Sequence, residues 1–321
     1  MRVKINQLFG VQAPEAAMVD VRDVDIMLAE SYPKPTDEYV FEPVLLKKLL
    51  RFFLGKPARR NLFLMGDAGT GKTSVVLEVA ARLNVPVYAI ACSGKTRFAH
   101  LVGSRELING STVWRDGPLV SAMKNGGTFL ANEITRLDAG EQMNLAEVLD
   151  SRATLTIPDT GEIVTAHDDF RVVVTGNSGG FGDDSGAYVG EKASSYAFID
   201  RFQKMKVDYM PEINEVALLM KVAPFLSEDV CLAMVRLAND VRKNFVGRGG
   251  SYQTIISTRS LVIWAMESEG YKSMGFDDPL AESLMDTILN GSPPAELAVI
   301  MELWSKWLGV NINQPDTVVA A

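Results

Sequence analysis

The chain has 321 residues, 47% apolar and 22% charged, which excludes disorder as a whole and allows a core of useful size in two domains or one large one with appendages. Lys and Arg number 32 against 40 Asp and Glu, a net charge of −8 that lacks the overall basic footprint of a nucleic-acid binder. Two cysteines, Cys92 and Cys231, exclude a disulfide framework and point to the cytoplasm, and no apolar run exceeds six residues where a membrane-spanning helix needs about 20.

Met1–Gly10 has no apolar stretch long enough for a secretory signal. Residues 1–40 are mixed, and Tyr32–Asp37, with two prolines, is turn and extended chemistry. This region reads as an N-terminal arm. Glu42–Leu54 places Val44, Leu45, Leu49, Phe52 and Phe53 at helical spacing. From Asn61 short apolar strands alternate with helices. The strands are predicted at Asn61–Met65, Pro86–Cys92, Gly127–Asn132, Phe170–Thr175 and Gln203–Val207. Helices are predicted at Thr73–Leu83, with Val75, Val76, Val79, Ala80 and Leu83 on one face, and at Ala139–Arg152. That alternation predicts an α/β fold with a mostly parallel five-stranded sheet over residues 41–210. After Met210 the pattern is helical only: Ile213–Val222, Glu228–Asn244, Ser257–Glu269, Pro279–Leu289 and Pro294–Leu308. Residues 211–308 thus read as a helical lid domain, and 309–321 as a flexible tail.

Gly66-Asp67-Ala68-Gly69-Thr70-Gly71-Lys72-Thr73 fits the phosphate-loop pattern in full, between a strand and a helix. Its glycines let backbone N–H groups curl around an anion, and the helix N-terminus adds its positive end. Lys72 should reach the β and γ phosphates of ATP, and the Thr73 hydroxyl should ligate Mg²⁺. A nucleotide hydrolase of this type also needs a second strand ending in acid. Thr128–Asn132 ends at Glu133, which could polarise the attacking water. The preceding position normally holds an Asp that helps bind the metal. Asn132 keeps an acceptor oxygen there but removes the negative charge, so metal retention should weaken.

These residues resemble AAA+ ATPases of the MoxR-like and metal-chelatase branch, with a specific likeness to the small ATPase subunit of aerobic cobaltochelatase. Three stretches carry it: Tyr39–Pro43; Leu101-Val102-Gly103 with Asp116–Leu119; and Gly180–Asp183 through Gly186–Gly190 to Asp200-Arg201-Phe202. The likeness covers about residues 39–210 and extends loosely into the helical remainder. It implies that Asn177 is the sensor-1 residue, that Arg201 is an arginine finger for a neighbouring subunit, and that Arg259 is sensor 2. Arg201 is expected to stand too far from its own phosphate loop to act in cis. The resemblance further implies a ring, a hexamer, with ATP between subunits. Hydrolysis would remodel a partner, often a protein with a von Willebrand A domain. It also implies two hairpins that face the ring centre or a ring face. One is Arg105–Arg115 around Asn109-Gly110, the helix-2 insert. The other is Ala153–Ala166 around Pro158–Gly161, the pre-sensor-1 hairpin. Trp114 is either an exposed contact there or packing beneath the hairpin.

Other signals read as structural. His100 and His167 belong to no metal-spaced cluster, and Asp183 and Asp184 are solvated turn carboxylates. Cys92 is a small buried hydrophobe, and Gly247-Arg248-Gly249-Gly250 reads as a plain interhelical loop in preference to a phosphate contact. Leu303, Trp304, Trp307 and Leu308 form the packing face of the last helix or a partner contact. Three alternatives stay open. The chain could be a cobaltochelatase subunit of cobalamin synthesis. It could be a nucleotide-gated scaffold with weak hydrolysis, which Asn132 permits. It could be a nucleic-acid motor with a pore lined by Lys95, Arg97 and Arg105, against which the net charge speaks.

Overall fold

A computed structural model describes residues 1–55 and 61–308. The tail expected at 309–321 lies outside the described residues. Five parallel strands form the central sheet: β1 (Asn61–Met65), β2 (Val87–Ala91), β3 (Thr128–Asn132), β4 (Arg171–Gly176) and β5 (Gln203–Lys206). Their order across the sheet is β5–β1–β4–β3–β2. β4 is buried along its whole length, which suits its run of three valines between two neighbours. Side-chain alternation divides the strands between two hydrophobic layers. Phe63, Phe129, Val172 and Val174 face one layer. Leu62, Leu64, Leu130 and Val173 face the other.

The second layer holds helices Pro43–Leu54 and Lys72–Leu83 and also the N-terminal segment. There Arg2–Lys4 pairs antiparallel with Met18–Asp20, and Phe9, Val19, Val21 and Phe41 join the core. The segment therefore packs on its own subunit.

One expected helix is different. Ala139–Arg152 is broken into Ala139–Met143 and Ala146–Leu149. Gly140 and Asn144 are poor helix formers, and the buried Gln142 amide donates to the carbonyls of Ile134 and Leu137 at 3.0 Å each. That ties the first piece to the preceding turn.

Both hairpins form. Gly103–Ile108 pairs with Ser111–Asp116, and Thr154–Thr156 with Ile163–Thr165. Asn109 and Gly110 both take positive φ, 50° and 80°, the turn that matches strand twist. Arg105 Nη2 donates to Asp159 O at 2.6 Å, so the hairpins touch. Trp114 is half-buried, its Nε1 bonded to Asp116 Oδ1 at 2.8 Å and its ring against Gly103. It packs beneath the hairpin instead of projecting from it. Cys92 is buried as expected, and burial pushes its thiol up to about 12.

Five helices follow: Glu212–Val222, Glu228–Lys243, Thr258–Ser273, Pro279–Thr287 and Pro294–Trp307. They enclose a separate core in which Trp264 and Trp304 lie 6.1 Å apart. Among the described residues no helix is long and apolar enough to cross a membrane.

Candidate active site

The parallel register brings the carboxyl ends of β1, β3 and β4 to one edge, where Met65 stands beside Gly176 and Ala131 beside Val174. The phosphate loop, Asn132-Glu133 and Asn177 follow directly from those three ends. Gly69 has φ +72°, and a Cβ there would fall 2.4 Å from Ser257 Cβ. Only glycine allows the helical part to approach the loop so closely.

Lys72 Nζ donates to Gly66 O at 2.7 Å, Asp67 O at 2.8 Å and Asn177 Oδ1 at 2.9 Å. Burial pushes this ammonium down to about 8, against the upward pull of Asp67, Glu191 and Glu133. Thr73 Oγ1 donates to Asn132 Oδ1 at 2.6 Å, so the loop and the tip of β3 are in direct contact. Glu133 adopts φ 55°, which turns its side chain away from the strand, and it pairs with Arg136 at 2.7 Å. A cleft of about 390 Å³ gathers Lys72, Thr73, Asn132, Glu133, Asn177 and Arg259. The arrangement presents three cations (Lys72, Arg136 and Arg259), the Thr73 hydroxyl and the Glu133 carboxylate around one volume. That set suits a polyanion whose terminal phosphate is attacked by water.

A family model for the AAA domain of the dynein-related subfamily matches residues 61–202. Protein NorQ of Paracoccus denitrificans is 30% identical over 228 residues, 71% of this chain and 79% of the relative. Denitrification regulatory protein NirQ of Stutzerimonas stutzeri is 31% identical over 206 residues, 64% of this chain and 70% of the relative. The chain is a MoxR-like AAA+ ATPase. Aerobic cobaltochelatase subunit CobS of Sinorhizobium sp is 25% identical over 325 residues, 97% of this chain and 92% of the relative. That relation runs well beyond residues 39–210 into the helical part.

Not every expected residue of the ATPase meets in the cleft. Arg201 stays outside it: Nε donates to Asp150 Oδ1 at 3.0 Å and Nη1 to Ala197 O. Four further residues belong to the site's frame, three with no signal of their own in the sequence and one, Arg248, whose loop reads from sequence as a plain connection. Glu191 accepts the backbone N–H groups of Asn177 and Ser178 at 2.8 Å each and so fixes the loop after β4. Tyr209 donates its hydroxyl to Ala68 O at 2.9 Å, and Tyr188 to Asp67 Oδ1 at 2.9 Å. Arg248 Nε donates to Asp67 Oδ2 at 2.5 Å. The Gly247–Gly250 loop is therefore not a plain interhelical connection, because its arginine grips the phosphate loop. A lone Arg among glycines was the one available signal.

Asp183 and the two histidines make local hydrogen bonds. Asp183 accepts the Ser185 and Tyr188 backbone N–H groups within its own turn. His100 Nδ1 accepts from Arg97 N, and His167 Nδ1 from Asp169 N. No group of three His, Cys, Asp or Glu could hold a metal among the described residues.

Proposed function

We propose that this ATPase forms a ring, a hexamer, that binds Mg-ATP between subunits and uses hydrolysis to remodel a partner protein. The observation that carries the reading is the division of the catalytic set. Lys72, Thr73, Asn132, Glu133, Asn177 and Arg259 share one cleft, whereas Arg201 stands outside it, partly exposed and paired with Asp150. A site that stabilises transition-state charge with Arg201 needs that residue from a neighbouring copy. The segment leading to Arg201 adds support. Phe181, Val189 and Tyr196 are 80%, 85% and 75% exposed, an apolar surface that a second subunit would cover.

Mg²⁺ fits the donors present. It takes few protein ligands, keeps waters and binds through phosphate oxygens, and Thr73 Oγ1 and Asn132 Oδ1 are the oxygens available. When bound it would neutralise charge on the phosphates. Glu133 would hold the attacking water and take its proton, Asn177 would orient that water, and Arg259 would report the nucleotide state to the helical lid.

The partner is best sought among proteins with a von Willebrand A domain. The alternative is the role that the name of the CobS relative carries, a subunit of an aerobic cobaltochelatase. Two of the three cations named for a nucleic-acid pore are engaged elsewhere: Arg97 pairs with Asp138 and Glu141, and Arg105 with Asp159. That weakens the motor reading.

Turnover measured against protein concentration tests the shared site. Specific activity should rise with concentration, and Glu133→Gln and Arg201→Ala should each lose about a thousandfold. Turnover that is independent of concentration and indifferent to Arg201→Ala would contradict it.

A further inference from the structure

The phosphate loop carries an acid, Asp67, directly after Gly66, and its side chain is 14% exposed. Its own carbonyl accepts from Lys72, and the next residue, Ala68, lines the Lys72 cleft, so this charge stands close behind the ground that a triphosphate would occupy. Like charges that close repel unless one is neutralised. The neutralising charge comes from the helical part. Arg248 Nε donates to Asp67 Oδ2 at 2.5 Å, and its Nη2 donates to Asp208 Oδ1 at 2.7 Å just past the end of β5. The guanidinium also lies 5.2 Å from the Tyr209 ring, whose hydroxyl holds Ala68 O. Arg248 lines a neighbouring cleft with Gly66, Asp67, Asn177 and Lys206, not the cleft of Lys72 and Thr73. Arg259, by contrast, reaches the nucleotide cleft itself.

We propose that Arg248 is a positioning residue for nucleotide binding: from the helical lid it neutralises Asp67 and holds the phosphate loop in its receptive shape. Nucleotide affinity then depends on the lid staying against the loop. Arg248 acts through Asp67 and need not touch nucleotide. The proposal rests on nucleotide binding by this loop and is independent of ring assembly.

The test is binding of a fluorescent ADP analogue to the full chain, together with steady-state ATP turnover. Arg248→Ala should weaken binding by about tenfold and raise KM, with kcat changed by less than about threefold. Arg248→Lys, which keeps the charge and loses the fork, should recover part of the affinity and guards against a folding defect. In an Asp67→Asn background the same Arg248→Ala change should cost less than about twofold, because the charge to be neutralised is gone. An equal loss in both backgrounds, or no loss in either, would overturn the proposal. Lys72→Ala serves as the control. If it binds as well as wild type, the nucleotide site itself falls and this proposal with it.

Discussion

At the scale of single residues, Asn132 is the departure with the most direct consequence. Its amide oxygen accepts from Thr73 Oγ1 at 2.6 Å, so the geometry of loop and strand tip is kept while a charge is removed. Coulomb attraction between a carboxylate and a divalent ion at contact is worth at least a few kcal/mol even when well screened. Asn132→Asp should therefore lower the Mg²⁺ concentration for half-maximal turnover by about tenfold, read by titrating Mg²⁺ at saturating ATP. An unchanged Mg²⁺ requirement would mean that position 132 does not face the ion. Wild type that is silent until this change is made would favour the nucleotide-gated scaffold.

At the scale of elements, the helical part is tied together by one buried ionic group. Arg242 and Glu215 are fully buried, with Nη1–Oε2 and Nη2–Oε1 at 2.7 and 3.0 Å. Thr258 Oγ1 adds a bond to Glu215 at 2.5 Å, and Arg242 Nε one to Ile256 O at 2.7 Å. The guanidinium also sits 4.0 Å from the Tyr209 ring, which leads to Ala68. Helices Glu212–Val222, Glu228–Lys243 and Thr258–Ser273 thus meet at one point beside Arg259. Glu215→Ala or Arg242→Ala leaves a lone buried charge and should cost about 3 to 5 kcal/mol in urea unfolding. The paired change Glu215→Leu with Arg242→Met should cost far less. Single losses below about 1 kcal/mol would show that water reaches the pair. This group also shows what the sequence could and could not yield. The five strands were legible to within a residue or so at each end, because β-branched runs bordered by Gly, Pro or polar residues carry their own signal. The phosphate loop and Glu133 were legible because their chemistry is local in sequence. Glu215 with Arg242, 27 residues apart, and Asp67 with Arg248, 181 apart, were not. Glu215 and Arg242 read alone as ordinary surface charges, Asp67 as one residue of the phosphate loop and Arg248 as part of a connection, and only the fold brings each its partner. The break at Asn144 was missed for a similar reason, since Gln142 bonds carbonyls of the preceding turn.

At the scale of the whole molecule, the proposed ring would complete the catalytic set by bringing Arg201 from a second copy. The cleft between sheet and helical part holds Lys72, Thr73, Glu133 and Asn177, and Arg201 stands apart from it. The two touching hairpins present Leu107 and Ile163 to solvent, a surface suited to a partner protein. In the proposed ring each nucleotide site is shared between neighbours. The most direct measurement mixes two inactive variants, Glu133→Gln and Arg201→Ala, in equal amounts and follows ATP turnover. In mixed rings an Arg201→Ala subunit keeps Glu133 and can receive Arg201 from a Glu133→Gln neighbour. Random assembly makes that pairing at about one site in four, so turnover should return to about a quarter of wild type. A mixture as inactive as its two parents would contradict the account.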